Sequence, residues 1–153
     1  MIVDGPETRE RLGTALHVRR WVDEVAAGCP YPSLDALHAV ADLAARSLSP
    51  AEVDEALSAH PRIGERATGL SRSEQSASAT DDPALVEAMA VGNQAYEERF
   101  GRIFLIRAAG RSRTEILAEL HRRLALSDEA EVAEVADQLR EIALLRLSAL
   151  FAS

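Results

Sequence analysis

The chain has 153 residues, 47% hydrophobic and 27% charged, a balance that is ordinary for a globular protein able to bury its own apolar core. Its 25 acidic and 17 basic residues give a net charge of -8, which argues against a general binding surface for nucleic acid or for an anionic membrane. The single cysteine, Cys29, excludes an intramolecular disulfide, and no segment resembles a signal peptide or a transmembrane helix, so we expect one cytoplasmic domain over residues 1–153.

Helix signals dominate the first 60 residues. Apolar residues recur at helical spacing over residues 7–27, which predicts one helix, and the sequence GCPYPS ends it. Ser33 is placed to cap a second helix that runs to about Leu48. The sequence SPAE at 49–52 predicts a capping box at the start of a third helix. That helix is expected to end near His60, because the proline that follows disfavours helical geometry in the residue before it.

The segment after this helix is the most polar part of the chain. Residues 61–70 hold two glycines and no sustained apolar period, so we expect a loop. Ser71, followed three positions later by Glu74, predicts a second capping box and a short helix.

The second half of the chain is also predicted to be helical. The sequence DDP at 81–83 starts a long helix that ends at about Phe100. Residues 101–110 are compatible with an extended run or with a continuing helix. The sequence SRTE at 112–115 predicts a capped helix, and Ser127 is placed to cap the last one. The fold class is therefore all-α, a single-domain bundle of about six to seven helices.

Arg146 interrupts the apolar face of the last helix. It falls between Ala143 and Leu147, in a stripe with helical spacing. A guanidinium in such a position needs an anion or a path to water. The pattern leaves two interpretations open: an internal ion pair with a core-facing carboxylate, or a binding site for an anionic ligand.

His60 is a candidate proton-transfer residue, because imidazole titrates near neutral pH and a polar loop follows it. Glu74 and Gln75 lie within fifteen residues of it and can bind a ligand that displays amide-like donors and acceptors. The alternatives are a structural histidine and a simple helix cap at Ser71. The other three histidines form no metal-ligand spacing, so no metal site is expected, and no phosphate-binding glycine loop or nucleophile elbow occurs.

Four motifs, in order, resemble the OHCU decarboxylases, which act on 2-oxo-4-hydroxy-4-carboxy-5-ureidoimidazoline. They are HPRIGE at 60–65, SRSEQ at 71–75, GNQAYEERFGRIFLI at 92–106 and LREIALLRL at 139–147. The resemblance runs from about Trp21 to Leu147. It implies an all-helical homodimer that needs no cofactor, acts on a small anionic ureidoimidazoline and works beside a urate oxidase and a hydroxyisourate hydrolase. The product would be (S)-allantoin.

The resemblance also implies roles for individual residues. His60, Glu74 and Arg146 would be catalytic, with His60 moving protons and Arg146 also holding the anionic substrate. The other substrate-binding residues would be Glu74 itself, Pro61, Ser71, Gln75 and the run Phe104, Leu105 and Ile106.

Two positions depart from the family pattern. Cys29 stands where the family often has arginine, and Arg107 stands where many relatives have cysteine. Two other functions stay open from the residues alone. One is a hydrolase of ureido compounds that uses His60 and Glu74 to activate water, and the other is a non-catalytic interaction module in which Arg146 forms a buried ion pair.

Overall fold

The computed structural model describes residues 1–65 and 69–152. Within them the chain forms eight α-helices and one short 3-10 helix, Ser76–Ser78. The α-helices are α1 (Pro6–Ala15), α2 (Arg19–Ala27), α3 (Leu34–Ala45), α4 (Pro50–Leu57), α5 (Gly69–Gln75), α6 (Pro83–Phe100), α7 (Arg113–Leu124) and α8 (Asp128–Leu150). In this part of the chain, β pairing is limited to one isolated antiparallel bridge between Ile2 and Tyr31. The all-α prediction is confirmed.

The chain divides into two compact units, one made of residues 1–59 and the chain from 136 onward, the other of residues 60–135. The core of the first unit is built from aliphatic side chains around one tryptophan. Trp21 is fully buried, and its indole Nε1 donates to the carbonyl oxygen of Ala41 at 3.1 Å. Among the residues packed into this core are Leu12, Val25, Leu37, Val53, Leu139 and Leu147.

The single helix predicted over residues 7–27 is wrong, because two helices, α1 and α2, occupy this stretch. The backbone is extended at Leu16 and Val18, whose side chains are both 1% exposed. An extended break lets these two apolar side chains reach the core together. The first backbone N–H of α2 has a hydrogen-bond partner on another helix: the carboxylate of Glu55 on α4 accepts from the N–H of Arg19 at 2.9 Å. This break accounts for one helix beyond the number expected.

The predicted caps of α3 and α4 are confirmed. The hydroxyl of Ser33 accepts from the backbone N–H of Ala36 at 3.2 Å. At α4, Ser49 and Glu52 exchange both bonds of a capping box, at 3.1 and 2.9 Å. The bounds differ from the predicted ones at the other end, because α3 ends at Ala45 and α4 at Leu57.

The second unit packs α6 and α7 around an aromatic and aliphatic core. Its buried residues are Ile63, Met89, Tyr96, Phe104, Ile106, Ala108, Ile116, Leu117 and Leu120. The predicted starts of these helices are confirmed: Asp82 caps α6, and Ser112 and Glu115 form the capping box of α7. Ser127 accepts from the backbone N–H of Ala130 at 3.2 Å and so caps the start of α8.

The predicted capping box at Ser71 is wrong. Helix α5 already begins at Gly69, so Ser71 is an interior residue of that helix and not its N-cap. The predicted loop is seen as non-helical backbone over residues 61–65, and residues 66–68 lie outside the described residues. Across residues 1–65 and 69–152, no helix combines the length and apolar character that a membrane span requires.

Candidate active site

The segment that follows α4 is hydrogen-bonded to α6 at two residues, Arg62 and Ile63. His60 and Pro61 begin it and are half-buried. The guanidinium of Arg62 binds both carboxylate oxygens of Glu97, at 2.6 and 2.7 Å, and these bonds hold the pKa of Glu97 below its ordinary value. One residue further on, the side-chain amide of Asn93 donates to the carbonyl oxygen of Ile63 at 2.9 Å. The backbone after His60 is therefore held in one conformation by two side chains of α6.

Helix α5 carries three of the predicted substrate-binding residues on one face. Ser71, Glu74 and Gln75 are spaced i, i+3 and i+4 and are half-buried, whereas Arg72 and Ser73 between them are exposed. The side-chain oxygen Oε1 of Gln75 accepts a hydrogen bond from the backbone N–H of Gly64 at 3.2 Å. This bond connects α5 with the segment that His60 begins.

The run Phe104–Ile106 is neither helix nor strand. Gly101, in the left-handed region with φ of 71°, ends α6. Residues 103–108 follow with a backbone that is neither helical nor paired as a β-strand. The side chains of Phe104, Leu105 and Ile106 are 1%, 4% and 2% exposed. Because these side chains are buried in the core, only the backbone of the run is left to bind a ligand. The sequence left helix and extended structure open here, and the structure favours the non-helical alternative.

A buried ion pair stabilises the backbone of the run Phe104–Ile106. Arg123 and Glu131 are 1% and 0% exposed and form a close salt bridge. Arg123 Nη1 also donates to the carbonyl oxygen of Leu105 at 2.7 Å, and its guanidinium lies 4.6 Å from the centre of the Phe104 ring. The hydroxyl of Tyr96 donates to Glu131 at 2.5 Å, and burial together with that carboxylate raises the pKa of Tyr96. The network satisfies the buried charges and fixes the backbone at Leu105.

Arg146 belongs to the first unit, and the other predicted site residues belong to the second. It is 7% exposed, so its position in the apolar stripe of α8 is a buried one. Its Nη1 donates to the carbonyl oxygen of Thr14 at 2.8 Å.

A cleft of about 920 Å³ lies in the second unit, between the segment after Pro61, the helices α5 and α6 and the start of α7. Among the predicted site residues, only Gln75 lines it. Its wall combines apolar and polar side chains, among them Ile63, Val86, Met89, Arg72, Asn93 and Arg113. Apolar walls with a few convergent polar groups are typical of small-molecule sites.

Two features of the second unit were missed from the sequence. Arg113 is the first residue of α7 and is buried in the cleft wall, where a cation next to the positive end of a helix dipole is unfavourable. An arginine at this position is therefore a possible sign of a special role, but the sequence SRTE by itself predicts only a helix cap. Glu131 lies in the acidic first turn of α8, a usual place for solvated carboxylates, so nothing in the sequence marks it as buried. Among the described residues, no group of three or more His, Cys, Asp or Glu is arranged to hold a metal ion.

The chain is similar to known proteins over nearly its whole length. A family model described as OHCU decarboxylase matches residues 3–148. The 2-oxo-4-hydroxy-4-carboxy-5-ureidoimidazoline decarboxylase of Haloferax volcanii is 32% identical over 138 residues, which are 87% of this chain and 82% of that protein. The uric acid degradation bifunctional protein TTL of Arabidopsis thaliana is 32% identical over 131 residues, and there the chain spans 40% of the relative.

Solved structures share the fold. An OHCU decarboxylase crystallised in the presence of (S)-allantoin superposes with a TM-score of 0.81 at 27% identity, covering 97% of this chain and all of that one. An (S)-allantoin synthase superposes with a TM-score of 0.67 at 21% identity, covering 95% of this chain and 51% of that one.

Proposed function

Because the chain belongs to the OHCU decarboxylase family, we propose that it is a carboxy-lyase that converts 2-oxo-4-hydroxy-4-carboxy-5-ureidoimidazoline to (S)-allantoin and CO2. This is the last step of urate oxidation. The observation that carries the proposal is the family match over residues 3–148, with the Haloferax volcanii decarboxylase 32% identical over most of both chains.

The substrate explains why the reaction is expected to need no cofactor. Its carboxylate lies β to a ring imine, so the electron pair of the breaking C–C bond passes to the imine nitrogen as CO2 leaves. Acids without such an acceptor rely on pyridoxal phosphate or thiamine to take up these electrons. The protein must then orient the carboxylate and deliver a proton to one face of the neighbouring ring carbon, which sets the configuration of the allantoin.

We assign the proton transfer to His60. Two features of the structure support this choice: the backbone after His60 is fixed by α6, and the Gln75–Gly64 bond ties the same segment to α5. A rigid approach suits proton transfer, because the donor must keep within hydrogen-bond reach of the reacting atom.

The remaining roles are drawn from the family motifs. Ser71, Glu74 and Gln75 bind the ureido and ring polar groups from one face of α5. The backbone of Phe104–Ile106 presents its N–H groups and the carbonyl oxygens of Phe104 and Ile106 to the substrate, since the side chains of this run are buried and the carbonyl oxygen of Leu105 is bound by Arg123. Pro61 sets the direction of the chain after His60, and Arg146 binds the substrate carboxylate and stabilises its charge.

The proposal extends to the setting of the enzyme. We place it in the cytoplasm as a homodimer in which residues 1–153 of each subunit form one domain. Its pathway neighbours are a urate oxidase and a hydroxyisourate hydrolase, which together supply the unstable substrate.

Circular dichroism of the allantoin formed from urate tests the proposal. Urate oxidase and hydroxyisourate hydrolase generate the substrate in the cuvette, and this protein is added or left out. We expect fast accumulation of the (S) enantiomer and release of CO2 above the spontaneous rate. A trace identical to the slow, racemic background would contradict the proposal, and ureide hydrolysis without CO2 would indicate a hydrolase.

A further inference from the structure

Arg113 is a buried cation with no anionic partner in the described part of the chain. Its side chain is 7% exposed, and it forms no hydrogen bond or ion pair with any residue of 1–65 or 69–152. Burial lowers the pKa of Arg113, and no neighbouring carboxylate opposes this effect. A buried guanidinium normally has a carboxylate partner, because leaving it unpaired costs several kcal/mol. An unpaired one in the wall of a cleft is expected where the anion is a ligand.

The Arg113 guanidinium faces the cleft beside Gly64. Its Nη1 lies 3.4 Å from the position that a Cβ atom on Gly64 would take, and Gly64 itself lines the cleft. Gly64 has φ of 91°, a conformation that side chains other than glycine rarely adopt. Because Gly64 has no side chain, the space next to Nη1 that a Cβ atom would occupy is left open.

The cleft also contains a buried acceptor without a donor. The Oδ1 atom of Asn93 has no hydrogen-bond partner among the described residues, while its Nδ2 is held by the carbonyl oxygen of Ile63 at 2.9 Å. The side-chain amide of Asn93 is hydrogen-bonded to Ile63, and the Arg113 guanidinium lies next to Gly64, the following residue. The unpaired Asn93 Oδ1 and the unpaired guanidinium therefore lie near the same part of the cleft wall. A ligand that binds both the Arg113 guanidinium and Asn93 Oδ1 needs a negative charge and an N–H group a short distance apart.

The other charged side chains of the cleft do not supply Arg113 with a carboxylate partner. Three arginines and three glutamates line it, but Arg62 already binds Glu65 and Glu97, at 2.8 Å and at 2.6 and 2.7 Å. Two arginines, Arg113 and the exposed Arg72, then face one glutamate, Glu98. The formal charges of these six side chains sum to zero, so the cleft does not share the negative excess of the whole chain, which carries a charge of -8.

We propose that this cleft binds a small organic carboxylate that also carries an N–H donor, with the carboxylate on the guanidinium of Arg113 and the N–H group on Oδ1 of Asn93. Apolar parts of the ligand lie against Met89 and Val86. The proposal does not rest on the decarboxylation, because Arg113 and Asn93 are not among the residues assigned to that reaction and the test measures binding.

N-carbamoylglycine is a suitable probe, because it presents a carboxylate and ureido N–H groups in one small molecule. Isothermal titration of the full chain is expected to show saturable one-to-one binding. Its neutral analogue N-carbamoylglycinamide is expected to bind at least about tenfold more weakly, the loss expected when a hydrogen-bonded charge is removed. Arg113→Gln is expected to weaken binding of the probe by a similar factor. Arg19→Gln removes an exposed arginine outside the cleft and is expected to leave binding unchanged.

A second readout keeps the test independent of folding. In 1H–15N spectra the Arg113 Nε–H and Gly64 N–H resonances are expected to shift on titration of the wild-type chain, and the far-ultraviolet spectrum of Arg113→Gln should match the wild type. The proposal is overturned by an absence of saturable binding at millimolar probe, by equal affinity of Arg113→Gln and wild type, or by spectral shifts that leave both resonances unmoved.

Discussion

The side-chain oxygen Oε1 of Gln75 accepts a hydrogen bond from the backbone N–H of Gly64, 3.2 Å away. The bond joins α5, which carries Ser71 and Glu74, to the segment that begins at His60. Gly64 adopts φ of 91° at this point, so the chain turns where Gln75 binds it. One side chain therefore positions the proposed proton-transfer segment against the proposed substrate-binding helix.

Replacing Gln75 by Leu is expected to loosen this connection. The variant removes the acceptor of the Gly64 N–H, so amide hydrogen exchange at Gly64 should become faster, and kcat/KM should fall by about tenfold or more. The Gln75→Glu variant keeps an oxygen at the same position and is expected to retain slow exchange at Gly64. Equal exchange rates in the Leu variant and the wild type would show that the bond does not hold the segment.

Removing one partner of the buried pair Arg123–Glu131 is expected to destabilise the second unit strongly. Arg123→Met leaves Glu131 charged and buried without its partner and releases the carbonyl oxygen of Leu105, so we expect a loss of about 3–5 kcal/mol in the free energy of unfolding. The neighbouring Arg122 forms surface ion pairs with Glu119 and Glu134. Arg122→Met is therefore expected to cost no more than about 1 kcal/mol. Urea denaturation of the two variants measures the difference, and equal losses would contradict the assignment.

Glu52 makes the stability of the first unit depend on pH. Hydrogen bonds from the Arg20 side chain and from the backbone of Ser49 lower the pKa of Glu52 from 4.5 to about 2. A carboxyl group whose pKa is lower in the folded state stabilises the fold above the unfolded value, and this contribution is lost as the pH falls from about 4.5 towards 2. Because the group is partly solvated, we expect about 1–2 kcal/mol.

The Glu52→Gln variant isolates this effect. Its free energy of unfolding is expected to lie below that of the wild type at pH 7, and the two curves should converge as the pH approaches 2. Chemical denaturation at a series of pH values measures both. A constant gap between the curves over the whole acid range would mean that the lowered pKa of Glu52 is not its source.

Gly28 and Gly13 respond in opposite ways to an added methyl group. A Cβ atom at Gly28 would overlap the Tyr31 hydroxyl and lie 2.9 Å from Cζ of the same ring, whereas one at Gly13, inside α1, meets nothing within 4 Å. Tyr31 cannot move freely, since its hydroxyl donates to the carbonyl oxygen of Val25 at 2.5 Å. Gly28→Ala is expected to lose about 1–3 kcal/mol and Gly13→Ala to gain about 0.5–1 kcal/mol. Thermal unfolding tests the pair, and a Gly28→Ala variant as stable as the wild type would contradict the clash.

Local sequence rules predicted the helix starts well where the cap needs only its own turn. Ser49 and Ser112 each form the capping box that SPAE and SRTE indicate, because all partners lie within four residues. The same rule was wrong at Ser71, because helix α5 begins two residues earlier and places the serine inside it. The break between α1 and α2 was missed for a related reason. It depends on Glu55, which is distant in sequence and satisfies the first N–H of α2.

The charged residues of the site were harder to predict, since burial is decided by packing and not by composition. Arg146 can be singled out from the sequence because it interrupts an apolar stripe, and in the structure it is buried. Arg123 and Glu131 lie among exposed charges in the sequence and gave no such signal. The capping box that SRTE predicts gives no indication that Arg113 is buried, and only the structure shows that it is buried with no anionic partner among residues 1–65 and 69–152.

The most direct test of the central claim is the rate of (S)-allantoin formation by His60→Gln, followed by circular dichroism with the substrate generated in place. We predict a rate about 10²–10⁴-fold below that of the wild type, with an unchanged far-ultraviolet spectrum, because the variant loses the group that transfers the proton. His17→Gln, which changes an exposed histidine of the first unit, serves as the control and should act as the wild type does. A folded His60→Gln variant that forms (S)-allantoin at the wild-type rate would contradict the claim that His60 moves the proton.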